Sequence, residues 1–161
     1  MFSTSAAAPG SNTRHFSHIG YLGIDINERY IRVARRRYRR EFLVADVTRS
    51  PSQIRGSYDF ILLNSFLHHI DTAAVLQILD GLRDLLAPDG HVHSIELVLP
   101  EKRGLPRWLA RCDRGNFPRS LCFWRELFES RLETVIFEPF SIYWIGKNIM
   151  ELVYFKGRVK S

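Results

Sequence analysis

The stretch that decides the fold is "YDFILLNSFLHHID", Tyr58 to Asp71. Phe60, Ile61, Leu62 and Leu63 form a continuous apolar run that stops at Asn64-Ser65. An unbroken run, rather than an alternating one, is what a strand buried on both faces of a parallel sheet requires. Asp71 is then placed to cap a helix in which Val75, Ile78, Leu79, Leu82, Leu85 and Leu86 keep the helical period. "APDG", residues 87–90, stops that helix, and "HVHSIELVL" from His91 begins another strand.

Upstream the same grammar repeats. "YLGIDIN" reads as a short buried strand from Tyr21 to Asp25, and "EFLVADV" as a second that ends in Asp46. Between them Asn27 suits the N-cap of a helix from Glu28 to about Arg40, with Ile26 and Ile31 spaced as a hydrophobic staple. Ile31, Ala34 and Tyr38 give that helix an inner stripe, while Arg29, Arg32, Arg36, Arg39 and Arg40 crowd the rest. "SPSQIRGSYD" reads as loop with room for one helical turn. Downstream, residues 105–131 predict two short helices broken at Gly115 and Pro118, and residues 132–158 two longer strands joined around Gly146-Lys147-Asn148.

Alternating strands and helices followed by a strand pair predict an α/β fold. Its sheet is Rossmann-like and mostly parallel, with helices on both faces and a terminal antiparallel strand pair. In 161 residues this is one domain. The 45% hydrophobic and 25% charged content is that of a globular chain. No apolar run approaches the ~20 residues of a membrane span. The first residues lack the basic and apolar regions of a secretory signal. Cys112 and Cys122 suit a reducing, cytoplasmic setting, and their spacing matches no zinc pattern. The net charge of +6 is concentrated in "ERYIRVARRRYRR", a solvated helix face or an anion-facing one.

Ligands of such sheets bind at the carboxyl ends of the strands, where the strand order reverses. Asp25, Asp46-Val47 and Asn64-Ser65 stand on that edge, with His68-His69 just beyond. A carboxylate ending the second strand can accept two hydrogen bonds from a ribose diol, although Asp25 also suits a helix start and Asp46 a turn. Taken together, the two aspartates and the asparagine outline an adenosine pocket.

In these segments, and in "LLAPDGHVHSIE" and "NIMELVYFKGR", the chain resembles the class I S-adenosylmethionine-dependent methyltransferases, in particular small bacterial ones with a generic methyltransferase domain. The resemblance runs from about Pro9 to Arg158. It implies S-adenosylmethionine as cofactor and a seven-stranded sheet whose last strand is antiparallel. By that resemblance Asp25 would hold the ribose hydroxyls and Ile26 would lie against the adenine. Asp46 would take the adenine amino group, the Val47 backbone N–H a ring nitrogen, and Asn64 and Ser65 would line the methionine end. His68 and His69 would face the acceptor as candidate catalytic groups.

The departure is at the front. The family's first, central strand is apolar and runs into a glycine-rich loop resembling "LDVGCGPG". Here "FSTSAAA", residues 2–8, stands in its place, so this first strand is degenerate and Gly10 is the one loop residue carried over. Codons such as TTC TCG ACG TCG GCT GCG GCC spell those seven residues. Read in another phase they give Leu-Asp-Val-Gly-Cys-Gly, so an out-of-frame origin is a hypothesis that the gene's nucleotide sequence tests.

Transfer of a methyl group from a sulfonium is an in-line displacement in which orientation does much of the work. A hydroxyl acceptor gains from a general base, for which His68 or His69 has suitable chemistry; capping the loop and packing are the structural alternatives. His91 and His93 share a strand face but lie at its amino end with no third ligand evident, so no metal site is expected. Glu96 is a weaker pocket candidate.

Residues 101–130 interleave Leu105, Trp108, Phe117, Phe123 and Trp124 with Arg103, Arg107, Arg111 and Arg119. They read as a helical cover over the sheet that doubles as a substrate lid, and such a surface also permits weak contact with an anionic membrane. The expected function is methylation of a small-molecule or lipid-like acceptor on oxygen or nitrogen, an activity whose retention in this chain turns on the altered front. One alternative is a non-catalytic remnant or binding module of the same fold. Another is a nucleic-acid methyltransferase, which the arginine-rich helix favours but which lacks the Asn/Asp-Pro-Pro-aromatic motif.

Overall fold

A computed structural model describes residues 2–5, 11–16, 20–48, 54–113 and 115–160. Seven strands form one sheet: β1 (Phe2–Ser5), β2 (Leu22–Asp25), β3 (Glu41–Val44), β4 (Tyr58–Asn64), β5 (Leu86–Leu97), β6 (Leu132–Trp144) and β7 (Lys147–Val159). Their spatial order is β3-β2-β1-β4-β5-β7-β6. The first five run parallel, and β7 is antiparallel to both β5 and β6. This is the expected Rossmann-like sheet with its terminal antiparallel pair.

The degenerate first strand takes the central slot. Phe2 pairs with Leu22 on one side and Ile61 on the other, and Ser5 lies opposite Asn64. Its composition argues against a buried strand, yet backbone pairing asks only for N–H and C=O groups in register. The apolar β2 and β4 supply the two ladders that fix it there. Gly10, the carried-over loop residue, lies outside the described residues.

Among the described residues four α-helices lie between the strands. In α1 (Glu28–Arg37) Asn27 caps as expected: its Oδ1 accepts the Arg29 N–H at 3.0 Å. Ile31 and Ala34 are buried, but the helix stops short of Arg40, where Tyr38 leaves helical geometry. The staple does not form, because Ile26 is 68% exposed and turned toward the ligand edge. The basic run is partly spent on the fold itself, Arg32 pairing with Glu28 at 2.9 Å and Arg35 donating to the Phe42 carbonyl at 2.6 Å. In α2 (Thr72–Arg83) the Asp71 carboxylate accepts the Ala74 N–H at 2.9 Å, as its position predicts. That helix ends before Leu85 and Leu86, and "APDG" lies within β5 rather than in a separate turn. The irregular register between the Tyr58–Leu86 and Phe60–His91 pairs absorbs it.

The helices α3 (Leu105–Cys112) and α4 (Leu121–Glu129) fall where expected. The inner side of α4 is core: Trp124 and Phe128 are fully buried, Phe128 stacks on Phe155 of β7 at 4.1 Å, and the Trp124 indole N–H donates to the Leu97 carbonyl at 2.9 Å. By contrast α3 buries only Ala110, against Leu97 and Leu152, and leaves Trp108 exposed. No helix among the described residues is long and apolar enough to cross a membrane.

Candidate active site

The carboxyl ends of the parallel strands align. Asp25 sits opposite Val44, Ser5 opposite Asn64, and Asn64 opposite Ile95. The strand order reverses at β1, the kind of switch point where open α/β sheets bind ligands. Beside it opens a pocket of about 320 Å³. Asp25 and Ile26 line it from the end of β2, Asp46 and Val47 from the end of β3, and Phe66, His69 and Ile70 from the segment after β4. The sequence candidates Asp25, Ile26, Asp46, Val47 and His69 are thus brought together.

Burial pushes the Asp25 carboxyl above the usual carboxylate range, against the Asn27 N–H that donates to its Oδ1 at 2.7 Å. Among the described residues its Oδ2 accepts no hydrogen bond, and this half-buried carboxylate lies against an apolar wall. A ribose diol supplies two donors for such a group, and the pocket therefore fits an adenosine moiety. Asp46 Oδ1 accepts from both the backbone N–H and the hydroxyl of Thr48, at 2.9 and 2.6 Å, which fixes the turn carrying Val47.

Asn64 ends β4 on the same edge. Ser65 follows it in the left-handed region (φ 50°) and donates its N–H to the Ile95 carbonyl at 2.8 Å. This kink turns the chain sharply, so that Phe66 is the first residue of the segment to line the pocket, not Asn64 or Ser65.

The two histidines part company. His69 is half-buried and lines the pocket, whereas His68 is buried beneath it. His68 Nδ1 lies 2.7 Å from Glu96 Oε2, and its Nε2 lies 3.4 Å from Asp113 Oδ2. Glu96 is fully buried and accepts the backbone N–H groups of Phe66, Leu67 and His68 as well as the Ser94 hydroxyl. It is the anchor of the whole segment, a larger part than the sequence suggests. Its position inside a strand, flanked by Ile95 and Leu97, is the signal: a carboxylate there must be fully partnered.

Arg119 closes the same region from the far side. It is buried and donates to the Leu67 carbonyl at 3.0 Å and the Ile70 carbonyl at 2.8 Å, and its guanidinium stacks over Trp124. Within the basic 101–130 stretch, this arginine is a clamp rather than a surface charge. Gly115 touches the His68 ring so closely that a Cβ would lie 2.5 Å from Cδ2. Glycine at 115 therefore lets the loop carrying Asp113 seat on the histidine. His91 and His93 stay apart from this edge. The His93 ring stacks on Phe60 at 4.1 Å, and its Nδ1 meets the Tyr154 hydroxyl at 2.8 Å, so it is a packed core-edge histidine.

Comparison with known proteins follows the same lines. A sequence search of curated proteins returns no match. Among solved structures the chain resembles a SAM-dependent methyltransferase from Methanosarcina mazei, with TM-score 0.76 and 18% identity over 99% of this chain and 92% of that one. It also resembles the N-methyltransferase NodS of Bradyrhizobium japonicum bound to S-adenosyl-L-homocysteine (TM-score 0.75, 16% identity, 99% and 77% covered). A third likeness is to the mitomycin 7-O-methyltransferase MmcR (TM-score 0.73, 18% identity), of which the chain spans 48%. At these identities the likenesses show the fold. The methyltransferase-domain family matches residues 6–92, more than half of the sequence, and the chain belongs to that family.

Proposed function

We propose that the protein binds S-adenosylmethionine at the Asp25–Asp46 edge and transfers its methyl group to a small-molecule or lipid-like acceptor, on oxygen or nitrogen. The observation that carries this reading is the meeting of Asp25, Asp46 and His69 in one pocket at the switch point of the sheet. The cofactor, when bound, supplies a sulfonium-activated methyl group.

Each residue then has a part. Asp25 Oδ2 accepts from the ribose hydroxyls, Ile26 covers the adenine, and the Asp46-Val47 turn reads its edge through the carboxylate and the Val47 N–H. Asn64 and Ser65 stand toward the methionine end. His69 meets the acceptor, and His68, locked to Glu96, is a positioning residue behind it. The acceptor side is apolar. The antiparallel β7 carries the β6–β7 tip past Leu97, the end of β5, so exposed Tyr143, Trp144 and Ile145 project beyond the ligand edge, as α3 holds Trp108 exposed nearby. Such a rim suits a hydrophobic acceptor better than a nucleic acid.

Isothermal titration with S-adenosylhomocysteine tests the reading. Binding that disappears in Asp25→Ala supports it. No binding by the chain as given, with binding restored when "LDVGCG" replaces the altered front, would assign this polypeptide to a non-catalytic form of the fold.

A further inference from the structure

We propose that His68, His69 and Asp113 form a divalent-metal site of the zinc class at the acceptor end of the pocket. One ligand atom from each of these three side chains lies within 4.8 Å of the others. The sequence hides this set, because Asp113 comes from the loop after α3 and reaches His68 only through the fold.

The argument starts from His68. Its Nδ1 faces the buried Glu96 carboxylate at 2.7 Å, an acceptor that needs a donor, so the proton belongs on Nδ1. That leaves Nε2 as a lone-pair nitrogen pointing at Asp113 Oδ2, another acceptor, 3.4 Å away. In that tautomer two acceptors face each other, an arrangement that a cation between them satisfies. Two ligands each about 2.05 Å from a tetrahedral zinc ion stand about 3.3–3.4 Å apart, which is the separation found.

The surroundings are those of a metal-binding histidine. A ligating imidazole almost always gives its other N–H to a carboxylate or carbonyl, which fixes the tautomer and orients the ring. Glu96 does this for His68 and is itself held by three backbone N–H groups. Asp113 Oδ2 is steadied by the Gly115 N–H at 2.8 Å. The half-exposed His69 supplies the third ligand by a side-chain rotation. Three protein ligands leave the fourth position open toward the pocket, as in catalytic rather than structural zinc sites. The site deepens the methyltransferase reading on which its purpose rests: the open position would take the acceptor's oxygen or nitrogen and lower its proton affinity.

The test uses the untagged full chain, stripped with chelator and titrated with Co²⁺ alone. We expect one equivalent to bind with the visible d–d bands of a tetrahedral site and to be displaced by Zn²⁺. His69→Ala and Asp113→Asn, both partly exposed positions, should each weaken Co²⁺ binding at least tenfold while far-UV circular dichroism stays unchanged. Glu96→Gln should weaken it by roughly 10–100-fold through His68. Absence of Co²⁺ binding, or binding undiminished in Asp113→Asn and His69→Ala, overturns the proposal and leaves His68 as a packing histidine held between Glu96 and Asp113. Calorimetry with S-adenosylhomocysteine on the same preparations separates the two readings: cofactor binding without Co²⁺ binding sinks the metal site alone, and the reverse sinks the cofactor reading alone.

Discussion

His68 Nδ1 lies 2.7 Å from Glu96 Oε2 across the gap between the β4–α2 segment and strand β5. The same carboxylate collects three consecutive backbone N–H groups, from Phe66 to His68. One fully buried side chain thereby sets the path of the segment that forms a wall of the ligand pocket.

Replacing Glu96 by alanine is therefore expected to cost more than its modest size suggests. It strips the partner from His68 and from three buried N–H groups at once, and breaking a buried pair typically costs about 3–5 kcal/mol. Urea unfolding should show that loss. Gln, which keeps the acceptor oxygen, should recover part of it. Equal stability of the alanine variant and the native chain would mean that Glu96 does not hold the segment.

At Asp25 function and stability pull in opposite directions. Burial raises its pKa, so the folded apo protein favours the protonated form more than the unfolded chain does. Its contribution to stability is then fully present below the unfolded carboxylate pKa and is lost as pH rises through the folded one. Asp25→Asn should stabilise the apo protein at pH 7 while lowering affinity for S-adenosylhomocysteine by roughly 10–100-fold, the equivalent of about 1.5–3 kcal/mol for hydrogen bonds to a charged group. Thermal melting and calorimetry on one preparation check both signs. A variant that loses stability as well as affinity would place Asp25 in the fold rather than in the ligand site.

How much of this was legible in the sequence follows from where the information lies. Apolar runs closed by Asp25, Asp46 and Asn64 state both the strands and their ligand edge, because strand burial and strand ends are local properties. Asn27 and Asp71 announce their helices for the same reason. The central strand was legible only by subtraction: Phe2–Ser5 holds its place through backbone pairing with its neighbours, which leaves little mark on side-chain composition. Ile26 misled as a staple because an apolar residue at a strand end can face a ligand as well as a helix. The Glu96–His68–Asp113 line could not be read at all, since it joins three segments that meet only once the sheet is built.

His93 gives the protein an acid-sensitive seam. Burial, with Lys156 and His91 nearby, lowers its pKa from 6.5 to about 4. As pH falls below 6.5 the unfolded chain takes up a proton that the folded protein refuses until about pH 4, so stability declines across that window. His93→Gln removes the titration and keeps a polar group for the Tyr154 hydroxyl. Urea midpoints at pH 7 and pH 5 should therefore differ less for the variant than for the native chain. An identical drop in both would remove His93 as the cause.

The β6–β7 turn stores strain in plain view. Trp144 pairs with Lys147, leaving a two-residue loop in which Ile145 (φ 47°) and Gly146 (φ 72°) are both left-handed, the geometry of a type I′ hairpin. Glycine accepts that conformation freely, but a β-branched residue pays about 1–2 kcal/mol for it. Ile145 is 85% exposed, so it recovers nothing from the core. Ile145→Asn, a residue common in this turn, should raise stability by about 1 kcal/mol in urea unfolding. If the exposed tip with Tyr143 and Trp144 helps to hold an apolar acceptor, the same variant should raise the KM for that acceptor and leave S-adenosylhomocysteine affinity unchanged. A stability gain with no change in KM would assign the isoleucine no part in binding, and a stability loss would show that the turn is held in another geometry.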